Sequence, residues 1–157
     1  YSEAVNVLSE MGIFRGYGDG TFRPDHSITR AEFVMAASGF FNMKAAEDAA
    51  FEDVVRGSWY YDVIASAAAE GWITGYPDGT FRPDANITRA EVASIVNKAL
   101  ERTADRSFID SHPEKIVSFQ DLKSDFWAYD TIMEAVNAHD FKINGTDEVW
   151  SEIYNER

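Results

Sequence analysis

Residues 16–32 read Gly-Tyr-Gly-Asp-Gly-Thr-Phe-Arg-Pro-Asp-His-Ser-Ile-Thr-Arg-Ala-Glu, and the stretch returns 59 residues later as residues 75–91. Three of the seventeen pairs differ: Gly18/Pro77, His26/Ala85 and Ser27/Asn86. A repeat at a fixed period indicates an array of similar units that share a core. Core positions need only be apolar and of about the right size. Near-identity in a polar loop therefore points to strict turn geometry or to a shared ligand.

Length and composition fit a small folded protein. The 157 residues suffice for one domain or for several short repeats. Apolar residues make up 45%, which excludes a disordered tail, and no apolar run is long enough to cross a bilayer. The lack of cysteine excludes disulfides and cysteine metal sites and fits an exported bacterial protein. Since Tyr1 aligns with Tyr60, we expect the natural start, and any export signal, to lie upstream.

The net charge of −13 argues against nucleic acid or an anionic membrane surface as the main partner. The arginines, however, gather at the repeated stretch. They are Arg15, Arg23, Arg30, Arg82 and Arg89. Two interpretations stay open: these arginines bind a small anionic group, or they offset neighbouring carboxylates.

Each unit is predicted to contain a short helix, an ordered loop and a long helix. The short helix of the second unit is indicated by apolar residues at helical spacing, and a glycine caps it. These residues are Val63, Ile64, Ala67, Ala68 and Gly71, and in the first unit Ala4, Val5, Leu8, Met11 and Gly12. In the loop, Asp-Gly marks a tight turn and Arg-Pro an extended stretch.

The long helix of each unit is predicted to begin after a threonine. Thr29 with Glu32, and Thr88 with Glu91, have the spacing of a capping box, so the two glutamates are assigned a structural capping role. Amphipathic stripes follow. They run through Phe33, Ala36, Ala37, Phe40 and Phe41 in one unit, and through Val92, Ile95, Val96, Ala99 and Leu100 in the other.

A third unit is predicted to be degenerate. The segment Phe51-Glu52-Asp53-Val54, which opens the second unit, recurs as Phe119-Gln120-Asp121-Leu122. A short helix follows around Ile132–Val136, but residues 142–150 read Lys-Ile-Asn-Gly-Thr-Asp-Glu-Val-Trp and no Thr-Arg-Ala-Glu comes after them. The predicted division is residues 1–44, 45–100 and 119–157 for the three units, with a polar linker at 101–118.

Together, Phe-x-Asp-Val, a following Trp, the Gly-Trp-Ile-x-Gly-Tyr-x-Asp-Gly-Thr-Phe-x-Pro loop and Ile-Thr-Arg-Ala-Glu resemble the S-layer homology family over essentially the whole chain. The resemblance implies an exported bacterial module, usually present in threes, that attaches a larger surface polypeptide to the cell wall. It implies an all-α fold, a pseudo-threefold spindle with a central helical bundle and ligand grooves between adjacent units. The implied location is extracellular, in the cell wall or S-layer of the bacterial envelope.

The resemblance also implies the ligand, a secondary cell wall polymer linked to peptidoglycan and often carrying pyruvate. Arg30 and Arg89 would contact it at the first helical position, where backbone N–H groups and the helix dipole favour a carboxylate. Tyr17, Tyr76 and Trp72 offer flat faces to sugars. The predicted ligand-binding residues are Gly16, Tyr17, Asp19, Thr29, Arg30, Trp72, Gly75, Tyr76, Asp78, Thr88 and Arg89.

Structural alternatives accompany these assignments. Each arginine could hold a carboxylate across a unit boundary, and Asp19 and Asp78 could serve the turn alone. Because no arginine occupies the third helix start, at most two grooves are expected to be competent. The place of the missing third long helix could be filled by a downstream continuation, a partner chain or the 101–118 linker. A structural or protein-interaction spacer without glycan binding is the main alternative function.

Catalysis and metal binding are not predicted. The three histidines, His26, His112 and His139, do not recur between units, and no nucleophile–base arrangement is visible. A calcium loop needs several oxygen ligands at alternating positions, whereas this loop supplies one Asp followed by Thr, Phe, Arg and Pro. No cofactor, nucleic acid or membrane insertion is expected.

Overall fold

The computed structural model describes residues 2–154, apart from the side chain of Ser2, so the predicted role of Tyr1 lies outside the described residues. The elements in this range are α1 (Ser2–Glu10), α2 (Arg30–Ser38), α3 (Tyr61–Ala69), α4 (Arg89–Ala99), α5 (Arg106–Ser111), α6 (Tyr129–Val136), β1 (His139–Asn144) and β2 (Asp147–Ile153). None of the helices within residues 2–154 has the length and apolarity that a membrane span requires. The chain forms two compact units, Tyr1–Ile87 (unit 1) and Thr88–Arg157 (unit 2). These structural units differ from the three sequence repeats, because unit 1 holds the first repeat and the second repeat as far as Ile87.

The predicted helix starts are confirmed, but one predicted length is wrong. Helices α2 and α4 begin directly after Thr29 and Thr88, each with a complete capping box. Helix α2 nevertheless has nine residues, as many as α1 and α3, and Phe40 and Phe41 lie beyond its end. Gly39 follows the helix and approaches Ile13 so closely that a Cβ there would lie 2.9 Å from Ile13 Cγ1. This close approach and the low helix propensity of glycine explain the stop.

The core of unit 1 forms where α2 packs on α3. Its most buried apolar side chains are Ala31, Val34, Ile64, Ala67 and Phe81. The start of α2 is also joined to the second repeated stretch through the backbone. The N–H of Arg30 donates to Ala85 O at 2.9 Å, and that of Ala31 donates to Pro83 O at 3.0 Å. Two helix N–H groups that have no partner within the helix are thereby satisfied by the next repeat.

In unit 2 the expectation of an all-α fold is wrong. Strands β1 and β2 pair antiparallel, and Asn144 opposite Asp147 leaves a two-residue turn of Gly145 and Thr146. Gly145 has φ +70°, and glycine at the first central position is typical of tight hairpin turns. The hairpin occupies the part of the third sequence repeat that departs from the sequence of the repeated loop.

The segment 101–118, predicted as a polar linker, contributes to the core of unit 2. Asp105 caps α5 by accepting a hydrogen bond from Phe108 N at 2.9 Å. Ile109 and Ile116 from this segment pack with Met133 of α6 and Trp150 of β2. Within unit 2, a short helix and a hairpin therefore build the core around α6.

Candidate functional site

The two repeated loops have the same turn geometry. Tyr17 N donates to Thr21 O at 2.8 Å, and Tyr76 N donates to Thr80 O at 2.7 Å. In the second loop Gly75 has φ +66°, and a Cβ there would lie 2.4 Å from Phe51 Cε1 and 2.7 Å from Thr80 O. Only glycine fits that backbone, which gives Gly75, and Gly16 at φ +63°, a structural reason for their place in the motif.

An aspartate, a threonine and an arginine close each loop. Asp78 accepts from Thr80 Oγ1 at 2.6 Å and pairs with Arg82 at 2.8 Å, while Asp19 pairs with Arg23 at 2.7 Å. Hydrogen bonds from the Thr80 side chain, Arg82 and the Thr80 backbone lower the pKa of Asp78 to about 2. Hydrogen bonds from Thr21 and Arg23 lower the pKa of Asp19 to the same value. Both aspartates therefore have the predicted turn role, whether or not they also contact a ligand.

The arginine of each loop covers the tyrosine ring. The guanidinium carbon of Arg23 lies 4.2 Å from the ring centroid of Tyr17. The guanidinium carbon of Arg82 lies 3.9 Å from the ring centroid of Tyr76. These are cation–π contacts, and they occupy one face of each predicted sugar-packing tyrosine. An interaction with the Glu32 carboxylate raises the pKa of the Tyr17 hydroxyl and ties this loop to the start of α2.

The second loop has a further partner that the first loop lacks among the described residues. Asp53 accepts from Phe81 N at 2.8 Å and from Arg82 N at 2.7 Å. Arg82 has φ +60° and its counterpart Arg23 has φ +53°, a left-handed conformation that non-glycine residues rarely adopt. Both loops therefore share this conformation, and in the second loop Asp53 additionally binds the backbone N–H groups of Phe81 and Arg82. The sequence signal for Asp53 was the Phe-x-Asp-Val segment, to which no role in the loop was assigned.

Arg30 joins the first helix start to the second loop. Its side chain is 5% exposed, and Nε donates to Phe81 O at 2.8 Å. The guanidinium lies 4.5 Å from the ring centroid of Phe81 and 4.9 Å from that of Tyr76. The structure thus brings Arg30 and Tyr76 together at the boundary between the two repeats. A ligand-binding role for Arg30, and the alternative of a carboxylate partner, both stay predictions.

The remaining predicted residues are not gathered at this corner. Arg89 lies exposed at the start of α4. Thr29 and Thr88 accept from Glu32 N and Glu91 N, so their hydroxyls serve the caps. Trp72 is buried and packs edge-on against Phe41 with ring centroids 5.0 Å apart, which favours a core role.

A groove of about 840 Å³ runs beside the first loop, within unit 1. Its charged lining residues are Arg15, Arg23 and Glu32, and Arg23 is also paired with Asp19. Tyr17 and His26 also line it. Trp59 lines the groove with 59% of its surface exposed. A groove that contains an exposed indole and two arginines is suited to an anionic sugar.

Comparison with known proteins gives matches over both strong repeats. The sequence model of the S-layer homology domain matches residues 1–34 and 50–93. A cellulosome-anchoring protein of Acetivibrio thermocellus is 38% identical over 147 residues, which cover 90% of this chain and 31% of that protein. Cell surface glycoprotein 1 of the same bacterium is 33% identical over 157 residues, which cover 92% of this chain and 6% of that protein.

A third relative is the surface-layer 125 kDa protein of Lysinibacillus sphaericus, 35% identical over 99 residues, which cover 63% of this chain and 8% of that protein. The chain therefore spans less than a third of the length of each of these three relatives. The names of the second and third relatives agree with the predicted location at a bacterial cell surface.

Proposed function

The chain belongs to the S-layer homology domain family, and from this premise we propose that it is a non-catalytic module that anchors a larger surface polypeptide to the bacterial cell wall. One relative is named for an anchoring role and two for the cell surface or surface layer. In this role the chain is extracellular and stands at the cell wall or S-layer.

The proposed ligand is an anionic secondary cell wall polymer, with pyruvate ketals as the expected source of its carboxylates. The observation that carries this proposal is the groove beside the first loop. Arg15 and Arg23 supply guanidinium groups, of which Arg23 is paired with Asp19, and Trp59 supplies an exposed aromatic face. A volume of about 840 Å³ lies within the range of small-molecule sites, so a short stretch of glycan fits it. Guanidinium groups bind carboxylates through paired, charge-assisted hydrogen bonds.

Arg30 and Arg89 extend this proposal to the helix starts. Each stands at the first residue of its helix, where the helix dipole and backbone N–H groups favour an anion. Arg30 is fixed over Tyr76 and Phe81, so it presents a rigid corner, whereas Arg89 lies open to solvent. We propose at most two competent grooves, and we retain the pseudo-threefold spindle as the expected arrangement of the repeats.

A spacer function without glycan binding is the second candidate, because Arg30 and Trp72 are both buried. Nearly all of the Arg30 side chain is used in contacts within unit 1, and Trp72 packs on Phe41. Substitution of these two residues would harm folding in either function. The deciding residues are therefore the exposed ones, Arg89, Arg23 and Trp59.

Co-sedimentation with purified sacculi of the host bacterium tests the proposal, with and without chemical removal of the secondary polymer. The wild-type chain is expected to sediment only with polymer-bearing sacculi. Trp59→Ala is expected to weaken binding about tenfold, because stacking of this kind contributes on the order of 1–2 kcal/mol. Trp127→Ala is the matched control: Trp127 is 64% exposed, close to the 59% of Trp59, but lies outside the groove lining.

The arginine variants complete the design. Arg89→Ala and Arg23→Gln are expected to lower binding while circular dichroism shows an unchanged fold. A folded wild-type chain that does not bind polymer-bearing sacculi would overturn the anchoring proposal for these residues and favour the spacer function. Equal binding of the Trp59 and Trp127 variants would exclude the groove as the sugar site.

A further inference from the structure

Four charged or titratable side chains meet inside unit 2, and we call them the Arg102 cluster: Arg102, Glu134, His139 and Glu148. Arg102 follows α4, Glu134 lies on α6, His139 begins β1 and Glu148 lies in β2. The exposed fractions of the side chains are 3% for Glu134, 1% for His139, 0% for Glu148 and 30% for Arg102. The proposed wall binding uses none of these residues.

The imidazole of His139 is oriented by its neighbours. Its Nδ1 lies 2.6 Å from the carbonyl oxygen of Asn137, so we assign the ring proton to Nδ1, which donates to that carbonyl. The ring stacks on Trp150 with centroids 3.8 Å apart. In the neutral ring, Nε2 then carries a lone pair directed at the cluster. Histidines that bind metals usually donate the other ring N–H to a carbonyl or carboxylate, which fixes the tautomer and the ring orientation, as the Asn137 carbonyl does here.

The two glutamates direct one oxygen each toward this nitrogen. Arg102 binds the other oxygens more closely, with Nε 2.5 Å from Glu148 Oε1 and Nη2 2.9 Å from Glu134 Oε1. Its Nη2 also donates a longer bond of 3.4 Å to Glu148 Oε2. Glu148 Oε2 lies 3.1 Å from His139 Nε2, and Glu134 Oε2 lies 3.6 Å from it. Among residues 2–154, Glu134 Oε2 is buried without a hydrogen-bond partner. A buried carboxylate oxygen in that condition is costly and calls for an explanation.

Two carboxylates of the cluster, those of Glu134 and Glu148, face the single guanidinium of Arg102. The distance from Arg102 is 2.5 Å for Glu148 and 2.9 Å for Glu134, so Glu148 is the more closely paired of the two. The Oε2 atom of Glu134 is therefore the oxygen of the cluster that an additional cation would satisfy.

We propose that Glu134 Oε2, His139 Nε2 and Glu148 Oε2 bind one divalent transition-metal cation of the Zn²⁺ class. Each of these three residues offers one ligand atom, and the three atoms lie within 4.8 Å of one another. Zinc–nitrogen and zinc–oxygen bonds near 2.1 Å in a tetrahedron place neighbouring ligand atoms about 3.4 Å apart, and the two distances from Nε2, 3.1 and 3.6 Å, bracket that length.

The ligand set also selects the kind of cation. Imidazole suits zinc and its neighbours in the transition series, whereas calcium and magnesium take oxygen ligands in greater number. Arg102 Nη2 also approaches His139 Nε2, at 3.0 Å, and has to retract when a cation enters. Its partly exposed side chain allows this movement, while the three ligands stay buried. The cation would then hold α6 to the hairpin, a structural role that is independent of wall binding.

Metal titration of the chelator-stripped chain tests the proposal, with Co²⁺ as a spectroscopic probe and Zn²⁺ followed by calorimetry. We expect one equivalent of Co²⁺ to give visible absorption and one equivalent of Zn²⁺ to raise the melting temperature. Glu134→Gln, which keeps the side-chain size, is expected to weaken Zn²⁺ binding at least tenfold. His112→Gln, a histidine of the same unit outside the cluster, is expected to leave the affinity within twofold.

Two results would overturn the site. One is a wild-type chain without cobalt absorption or a zinc-dependent melting shift, which would leave the cluster as an ion-pair network. The other is an unchanged Zn²⁺ affinity in Glu134→Gln, which would place the cation on the acidic surface. Should that variant fail to fold, ¹⁵N NMR of the wild-type histidines decides. Zinc is expected to shift His139 Nε2 and to leave His26 and His112 in place, and no shift at His139 would end the proposal.

Discussion

Arg30 and Arg89 stand at the same position of the same motif, but their surroundings differ completely. Both begin a helix with the sequence Arg-Ala-Glu, and both helices carry a complete capping box. Arg30 is 5% exposed and bonded to Phe81 O, while Arg89 is exposed. The difference arises after the helix, not within it. For Arg30 a Gly-Tyr-Pro-Asp-Gly loop follows in the next sequence repeat, whereas residues 142–150, at the corresponding place after Arg89, lie mainly in a β-hairpin.

The loops themselves differ in the same way. Phe81 is fully buried, packs on Phe51 at 5.4 Å and has its N–H bonded to Asp53. Phe22, its counterpart in the first loop, is 39% exposed, and its ring centroid lies 5.8 Å from that of Phe14. A repeated motif therefore specifies the turn, and its neighbours specify how much stability and how much open surface it contributes.

The largest expected effect compares the two phenylalanines. Phe81→Ala should lower the free energy of unfolding by about 4 kcal/mol, because it leaves a cavity in a fully buried site. Phe22→Ala should cost about 1 kcal/mol, because much of the ring is already in water. Urea denaturation followed by circular dichroism measures both. Equal losses would mean that the two loops contribute alike to stability.

The arginine pair comes next. Arg30→Ala removes a charge-assisted hydrogen bond to a buried carbonyl together with two ring contacts, so the expected loss is about 3 kcal/mol of unfolding free energy. Arg89→Ala should change it by less than about 0.5 kcal/mol, as surface substitutions generally do. The same urea experiment applies. A large loss in Arg89→Ala would contradict its exposed position.

Asp53 sharpens the comparison of the loops. Asp53→Ala should destabilise the chain by about 2 kcal/mol, since it leaves the N–H groups of Phe81 and Arg82 without their acceptor. The neighbouring exposed residue supplies the control, and Glu52→Ala should be close to neutral. Thermal unfolding distinguishes the two. If the Asp53 variant matches the Glu52 variant, the Phe-x-Asp-Val segment has no part in fixing the second loop.

The smallest effect is in the titration of the two loop aspartates. Both have a pKa of about 2 against the usual 3.8, so their stabilising contribution is present above pH 3.8 and is lost as pH falls through about 2. Thr80→Val removes the largest cause at Asp78 and should raise its pKa, while that of Asp19 stays unchanged. Carbon-detected NMR of the carboxyl groups checks this. Parallel movement of both would show that the loops are not independent.

Local features were predictable from the sequence and distant ones were not. The capping boxes at Thr29 and Thr88 followed from residues three positions apart, and the positive φ of Gly12 and Gly71 followed from their place after a helix. The burial of Arg30 depends on Phe81, 51 positions away, and no local pattern carries that distance.

Unit 2 shows the same limit. The sequence around Gly145 departs from the repeated motif. Because no other repeat has this sequence, it could not be compared, and nothing in it favoured a hairpin over a loop. The Arg102 cluster draws on α6, both strands and the chain after α4, so its ligands have no characteristic spacing. His139 was visible only as a histidine that does not recur.

The two backbone bonds from Arg30 and Ala31 to Ala85 and Pro83 have a mechanical consequence. In the proposed anchoring role the chain carries tension along its length, and these bonds join residue 31 to residue 83. While these bonds hold, the intervening segment is shielded from the load. When these two hydrogen bonds break, about 50 residues become free to extend, which adds roughly 170 Å of chain length. In the proposed role the chain would therefore lengthen under load before it detaches from the wall.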